Sequence, residues 1–214
     1  MSNIVNDSVE EYIRNTMKKR HGLIAEMEEY AKENSVPIIH KEVSQLLYVL
    51  LKMHKPKRIL EIGCAIGYSS IFFEDTLDGQ VDIITTERNP LMLEKAEENI
   101  KKAGYEDKIK ILVGNAEETL ADIEGKFDMI FIDAAKGQYK LFFDMVIDKL
   151  EKGGLIISDN ILYKGMIASD ALVVRRKKTI VKRMRTYLDY ISNDDRFDTS
   201  IIPIGDGLAI TIKK

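Results

Sequence analysis

The stretch Arg58-Ile59-Leu60-Glu61-Ile62-Gly63-Cys64-Ala65-Ile66-Gly67-Tyr68-Ser69 constrains this chain more than any other. An apolar run of strand character meets two glycines four positions apart, and helical spacing resumes at once in Ser70-Ile71-Phe72-Phe73. That order predicts a strand, a tight loop and a helix N-terminus. Gly63 lets the chain turn with no side chain in the way, and Gly67 lets the helix start lie close to the strand. The first helical N–H groups then point at whatever occupies the crevice. Pyrophosphate-binding loops read G-x-G-x-x-G, whereas Cys64, Ala65 and Ile66 here separate just two glycines, a spacing that suits a nucleoside without a phosphate pair. Glu61, inside the strand, is unfavourable beside phosphate and useful beside a cation. Taken alone, the stretch fits a generic strand-to-helix turn of an α/β fold equally well.

The next strand separates these readings. Asp82-Ile83-Ile84-Thr85-Thr86-Glu87 ends in an acid about two dozen residues past Gly63, where a nucleotide-binding sheet places the carboxylate that holds a ribose diol. A nucleoside ligand with a positive centre, such as the amino group and sulfonium of S-adenosylmethionine, satisfies both Glu61 and Glu87.

The rest of the chain extends the same pattern. At 214 residues, 45% hydrophobic and 31% charged, it is long enough for one well-buried domain. Residues 7–33 are predicted helical, with Ser8 as cap and Glu11 three positions on. The apolar face of this segment covers either its own sheet or that of a second subunit. After a break at Val36-Pro37-Ile38-Ile39-His40, helical spacing returns over residues 42–52. Residues 1–54 thus form an N-terminal helical cap, and residues 55–214 the core. Further helices are predicted at 91–103, closed by Gly104, and at 117–123 and 138–150; further strands at 109–115, 127–133 and 153–160. A hairpin of 199–204 and 208–213 follows, around Gly205-Asp206-Gly207. His40 reads as a loop histidine, with nothing nearby in sequence to orient it as a base.

Two of these strands end in acids. In an open parallel sheet the carboxyl ends of neighbouring strands border one crevice, so Asp133, Asp159 and Asn160 are candidates to converge there. Two carboxylates and an amide oxygen make a hard set that suits Mg²⁺ or Mn²⁺ and is poor for zinc. The plainer alternative is that both acids cap the helices that follow them. Cys64 is the one cysteine, which excludes a disulfide framework or a cysteine-rich zinc site and fits a reducing cytoplasm. No apolar run approaches membrane-spanning length, so no membrane partner is expected.

Glu61-Ile62-Gly63-Cys64-Ala65-Ile66-Gly67-Tyr68-Ser69 resembles the cofactor motif of S-adenosylmethionine-dependent O-methyltransferases of the catechol and caffeoyl-CoA type, a likeness that runs over residues 34–214. Asp133-Ala134-Ala135-Lys136-Gly137-Gln138-Tyr139 and Asp159-Asn160-Ile161-Leu162-Tyr163-Lys164-Gly165 most resemble the bacterial tRNA 5-hydroxyuridine methyltransferases within that group. The resemblance implies a Rossmann-like class I methyltransferase fold. Its central seven-stranded sheet is mostly parallel with an antiparallel C-terminal hairpin and helices on both faces. It implies S-adenosylmethionine contacts at Ile39, Glu61, Gly63, Cys64, Gly67, Ser69, Glu87, Ala116 and Asp133, a metal held by Asp133, Asp159 and Asn160, and Lys136 as catalytic base. It also suggests a homodimer. Caffeoyl-CoA-type members carry a further Asp two residues after the first metal ligand, where this chain has Ala135, which argues against a plant-like phenylpropanoid role.

The acceptor is read from the segment after the acids. Between Ala171 and Leu188 stand Arg175, Arg176, Lys177, Lys178, Lys182, Arg183 and Arg185, with no acid. Arg175, Lys178, Lys182 and Arg185 fall on one helical face, opposite an apolar stripe that includes Ile180, Val181, Met184 and Tyr187. Net charge is only −3, so this is a local patch, suited to an RNA backbone and equally to plain solvation. A tRNA bearing 5-hydroxyuridine is therefore the expected acceptor, its 5-hydroxyl and 4-carbonyl matching a catechol's adjacent oxygens. A free catechol or hydroxycinnamoyl thioester is the alternative, and a non-catalytic RNA-binding module a third.

Overall fold

A computed structural model describes residues 4–214; residues 1–3, included in the predicted domain, lie outside the described residues. Seven strands form one sheet in the order β3-β2-β1-β4-β5-β7-β6, in which β1 is Arg58–Ile62, β2 Asp82–Glu87, β3 Ile109–Val113, β4 Phe127–Ile132, β5 Leu150–Ser158, β6 Phe197–Ile202 and β7 Leu208–Lys213. The parallel pairs β1–β2, β2–β3 and β4–β5 and the antiparallel pairs β5–β7 and β6–β7 give the expected class I methyltransferase arrangement. By contact the chain divides into two compact units, Thr16–Ile123 and a second made of residues up to Asn15 with Glu124–Lys214.

In the first unit, strands β1 to β3 carry helices α2 (Gly22–Glu33), α3 (Lys41–His54), α4 (Tyr68–Thr76), α5 (Pro90–Ala103) and a short α6 (Ala116–Thr119). The core strands are apolar on both faces, as parallel strands covered by helices must be. Ile59, Leu60 and Ile62 of β1 are fully buried, and so is Glu61 between them. Asn89 caps α5 by accepting from Leu91 N–H at 3.0 Å, Pro90 fills the first turn, and Gly104 closes the helix in the left-handed region at φ 76°. These are the signals that made α5 readable from sequence.

The second unit holds β4 to β7, α1 (Asp7–Thr16), α7 (Tyr139–Val146) and α8 (Lys178–Asn193). Val181, Met184, Tyr187, Leu188 and Ile191 are the buried stripe of α8, as the spacing predicted. Tyr187 packs edge-on against Tyr139 and Phe143 with ring centroids 5.7 and 5.8 Å apart, locking α8 against α7.

Several boundaries differ from expectation. The predicted helix over 7–33 is broken between α1 and α2, and Asn6 rather than Ser8 caps it, accepting Ser8 N–H at 2.9 Å. The break frees Arg20 to turn inward. Its guanidinium donates to Tyr68 Oη and, at 2.5 Å, to Ser44 Oγ, pairs with Glu28 at 3.2 Å, and lies 4.7 Å from the centre of the Phe72 ring. Strand β5 starts at Leu150, before the predicted residue 153, because Gly153 at φ 78° lets the strand bulge and shift register between Phe127 and Met129. Helix α6 ends at Thr119, whose hydroxyl bonds back to Asn115 O at 3.2 Å, instead of running to residue 123.

Glu74 on α4 is fully buried, and burial pushes its carboxyl up to about 7. The Val81 backbone N–H and Lys108 offset part of this rise, and Asp82 and Asp75 add to it. A buried carboxyl raised in this way favours the folded state while protonated; that contribution is complete below about pH 4.5 and is lost as pH climbs through 7. Glu74→Gln should therefore raise stability at pH 8 by on the order of 2 kcal/mol and change it little at pH 4, as measured by urea denaturation at the two pH values.

Candidate active site

In the first unit the glycine loop adopts backbone that its sequence dictates. Gly63 has φ 103°, Ala65 φ 47° and Gly67 φ 80°, so three of five loop positions are left-handed. A Cβ on Gly67 would meet Ala96 of α5 at 3.6 Å, ordinary contact, so conformation rather than space demands glycine there. Glu87 closes the loop. Its Oε2 accepts from Ala65 N–H at 2.8 Å and its Oε1 from Arg88 and Asn89 N–H at 2.8 and 2.7 Å.

Glu61 lies beneath the loop, its Oε2 accepting from Ser70 Oγ and, at 2.7 Å, from Thr85 Oγ1, its register partner on β2. The carboxylate thus joins three elements, β1, α4 and β2. Ile39 and Ser69 are buried, and Ala116 is half-buried at the start of α6. Burial, then Glu61, pushes the Cys64 thiol well above its usual range, so Cys64 serves through its backbone, its N–H donating to Thr86 O at 3.0 Å. A backbone-lined loop beside Glu61 and Glu87, with no cationic side chain from 59 to 87, fits the sulfonium and ribose of S-adenosylmethionine and would repel phosphate.

Sequence reading missed one member of this loop. Asn99, buried on α5, donates from Nδ2 to Ile66 O at 2.9 Å and so fixes the loop from the side opposite Glu87. A polar side chain on the apolar stripe of α5 was the available signal, but its target lies 33 residues away.

In the second unit, the ends of β4 and β5 bring the predicted acids together. Asn160 Nδ2 donates to Asp133 Oδ1 at 2.9 Å, and Asp159 Oδ1 accepts from Asn160 N–H at 2.6 Å, with Asp159 fully buried. Asn160 is left-handed at φ 60°, a conformation Asn tolerates better than most residues and one that often marks a functional position. Tyr139 holds this corner from below, donating to Asp159 O at 2.7 Å. Burial, then Asp133 and Asp159, pushes its phenol well above its usual range, so it donates as a neutral hydroxyl. Among the described residues no group of three histidine, cysteine or acid side chains is gathered to hold a metal. Two carboxylates and the Oδ1 of Asn160, whose Nδ2 is the atom turned to Asp133, would offer a hard divalent cation oxygen donors alone.

Lys136 stands beside these residues. Its Nζ is 2.8 Å from Asp206 Oδ2 and 3.5 Å from Asn160 O, and 4.9 Å from the centre of the Tyr163 ring. Of the basic stretch, Arg175, Lys178 and Lys182 are exposed. Arg185, only partly exposed, is engaged within the chain, bonding Ile167 O at 2.9 Å, Met166 O at 3.3 Å and Asp170 at 2.7 Å. No helix of the described residues is long and apolar enough to cross a membrane.

The chain is similar to known proteins along nearly its whole length. A family model described as O-methyltransferase covers residues 14–214. The chain is 31% identical over 210 residues to a caffeoyl-CoA O-methyltransferase of Populus kitakamiensis, covering 92% of this chain and 83% of that one. It is 28% identical over 225 residues to a catechol O-methyltransferase of Niastella koreensis, covering all of both chains. Among solved structures, an S-adenosylhomocysteine-bound methyltransferase of Podospora anserina superposes with a TM-score of 0.88 at 27% identity, over 97% of this chain and 94% of that one.

Two outcomes follow from the loop. Asn99→Ala should weaken S-adenosylhomocysteine binding by about tenfold, roughly one lost hydrogen bond to a buried carbonyl, read by titration calorimetry. Cys64 should resist a thiol reagent such as dithiobis-nitrobenzoate in the native protein and react fully once urea unfolds it, followed by absorbance.

Proposed function

Since the chain belongs to the O-methyltransferase family and is an S-adenosylmethionine-dependent O-methyltransferase, we propose that it methylates one hydroxyl of an acceptor bearing two adjacent oxygens, a catechol in the first instance. The observation that carries this reading is the contact of Asp133 with Asn160 at 2.9 Å beside the buried Asp159. Oxygen donors alone, at the ends of two adjacent parallel strands, suit a divalent cation that chelates a vicinal pair. Asp133, Asp159 and Asn160 would hold Mg²⁺ or Mn²⁺, which would supply positive charge favouring an ionised acceptor oxygen. The loop 61–69 and Glu87 would hold S-adenosylmethionine, Glu87 at the ribose, and the cofactor would supply an electrophilic methyl group.

The chain's own residues do the rest by positioning. Tyr139 fixes the backbone of Asp159, and the left-handed Asn160 keeps its amide turned toward Asp133. Lys136 Nζ, as the free amine, is the group assigned to take the proton of the acceptor hydroxyl and so become the ammonium. Orientation of the two reactants accounts for most of the acceleration such a transfer needs.

A second acceptor is favoured by one observation. The exposed Arg175, Lys178 and Lys182 lie in a segment without acids from Ala171 to Leu188, which suits a phosphate backbone, and 5-hydroxyuridine in tRNA presents the same adjacent oxygens as a catechol. The likeness to catechol and caffeoyl-CoA enzymes supports the small-molecule reading more directly. The two readings share their metal and cofactor residues and differ only in what the basic segment is for. Assembly as a homodimer belongs to the same proposal.

With purified protein, S-adenosylmethionine and a catechol, product formation should fall at least 100-fold on adding a chelator and return with Mg²⁺ or Mn²⁺, measured by chromatography of the methylated product. Full activity in chelator would remove the metal from the mechanism. Parallel assays with tRNA carrying 5-hydroxyuridine decide the acceptor: transfer to tRNA that falls steeply with salt and with Lys178→Glu, alongside an inert catechol, selects the second reading.

A further inference from the structure

We propose that Asp206 is a positioning residue for the transfer reaction, holding the Lys136 side chain in place from the β6–β7 hairpin by a contact that becomes a full ion pair as Nζ takes up the acceptor's proton. The inference rests on the role given to Lys136 above and adds the group that fixes it. Asp206 sits in the turn Gly205-Asp206-Gly207, 70 residues from Lys136 in sequence. Its Oδ2 receives Lys136 Nζ at 2.8 Å, with the two side chains only 12% and 26% exposed, well away from the solvent-screened regime of surface pairs. Its Oδ1 accepts the backbone N–H of Lys164, and its carbonyl accepts Leu162 N–H at 2.9 Å. One residue thus ties the lysine to the loop that leaves Asn160.

The hairpin tip is itself held rigidly. Gly207 O accepts Ile161 N–H at 3.0 Å, and a Cβ on Gly207 would lie 2.3 Å from Leu162 Cγ, so backbone rests directly on that side chain. Asn160, Tyr163 and Lys164 are left-handed at φ 60°, 47° and 57°, which folds residues 160–165 back toward the hairpin. Lys136 then has three fixed neighbours: the Asp206 carboxylate, Asn160 O at 3.5 Å and the face of Tyr163. A lysine has four rotatable bonds, and ordering its nitrogen needs a partner of this kind. Asp206 is the one carboxylate in contact with Lys136 among the described residues.

Asp206→Asn keeps an oxygen for the Lys164 N–H and removes the charge that faces Lys136, so it separates positioning from support of the loop. Asp206→Asn, Lys136→Met and the double variant are compared for kcat and KM with a catechol, S-adenosylmethionine and Mg²⁺, for S-adenosylhomocysteine affinity by calorimetry, and for melting temperature. Tethering of the lysine is read separately by carbon NMR of the reductively dimethylated protein, with the Lys136 resonance assigned by its absence in Lys136→Arg.

Asp206→Asn should lower kcat by up to about 100-fold, leave S-adenosylhomocysteine affinity within twofold, and add less than a further twofold loss in the Lys136→Met background. The Lys136 resonance should move toward those of exposed lysines. Equal losses in both backgrounds, or an unmoved resonance, would overturn the proposal. A wild-type kcat in Asp206→Asn beside an inactive Lys136→Met also overturns it and leaves the role of Lys136 intact. Full activity of Lys136→Met removes that role, and this inference with it.

Discussion

Burying carboxylates at the ends of strands is the constraint the rest of this structure answers to. An unpaired buried acid is destabilising by several kcal/mol, and this chain places Glu61, Asp159 and the flanking Glu87, Asp133 and Asp206 in or beside its two units' interiors. Each has at least one donor from a neighbouring residue or element: hydroxyls of Ser70 on α4 and Thr85 on β2 for Glu61, backbone N–H groups for Glu87, the Asn160 N–H for Asp159 and its side-chain amide for Asp133, and the Lys136 side chain for Asp206. In the two loops, left-handed residues carry the Ala65 N–H that meets Glu87 and the Asn160 amide that meets Asp133. Chemistry and folding therefore lean on the same turns.

The two halves of the machinery use different means to the same end. The cofactor loop is fixed almost wholly through backbone: Glu87 grips it at Ala65, Asn99 at Ile66, and Cys64 is tied to Thr86. Within the loop the side chains of Cys64 and Ile66 are buried and serve packing. The acid corner relies on side chains, since Asp133, Asn160 and Lys136 each depend on a partner at 2.8 or 2.9 Å. Substitutions should consequently be tolerated at Cys64 or Ala65 sooner than at Asn160 or Asp206.

How much of this was legible in the sequence follows from the range of each interaction. Strands β1, β2 and β7 and helix α5 carry their signals locally, in apolar runs, caps and glycines, and were read to within a residue. The acids at 133 and 159 were legible because strand order puts neighbouring carboxyl ends together. What escaped depends on partners remote in sequence: Asn99 for Ile66, Asp206 for Lys136, and Ser44 and Tyr68 for Arg20, which lies in the break of the first predicted helix. The early start of β5 escaped because its first residues, Glu151 to Gly153, are exposed and polar, and a left-handed glycine hides the continuity of the strand. Arg185 shares helical spacing with Lys178 and Lys182, yet spacing could not reveal the carbonyls of Ile167 and Met166 that claim it.

The fit of Gly207 against Leu162 has a bearing on how such a chain can diverge. With backbone pressed on a side chain, neither position is at liberty to drift alone: enlarging one demands trimming the other. The C-terminal turn and the segment following Asn160 are therefore constrained as one packing unit. Novelty is left to the residues from 168 to 182, where short 3₁₀ turns and exposed side chains lie outside that lock.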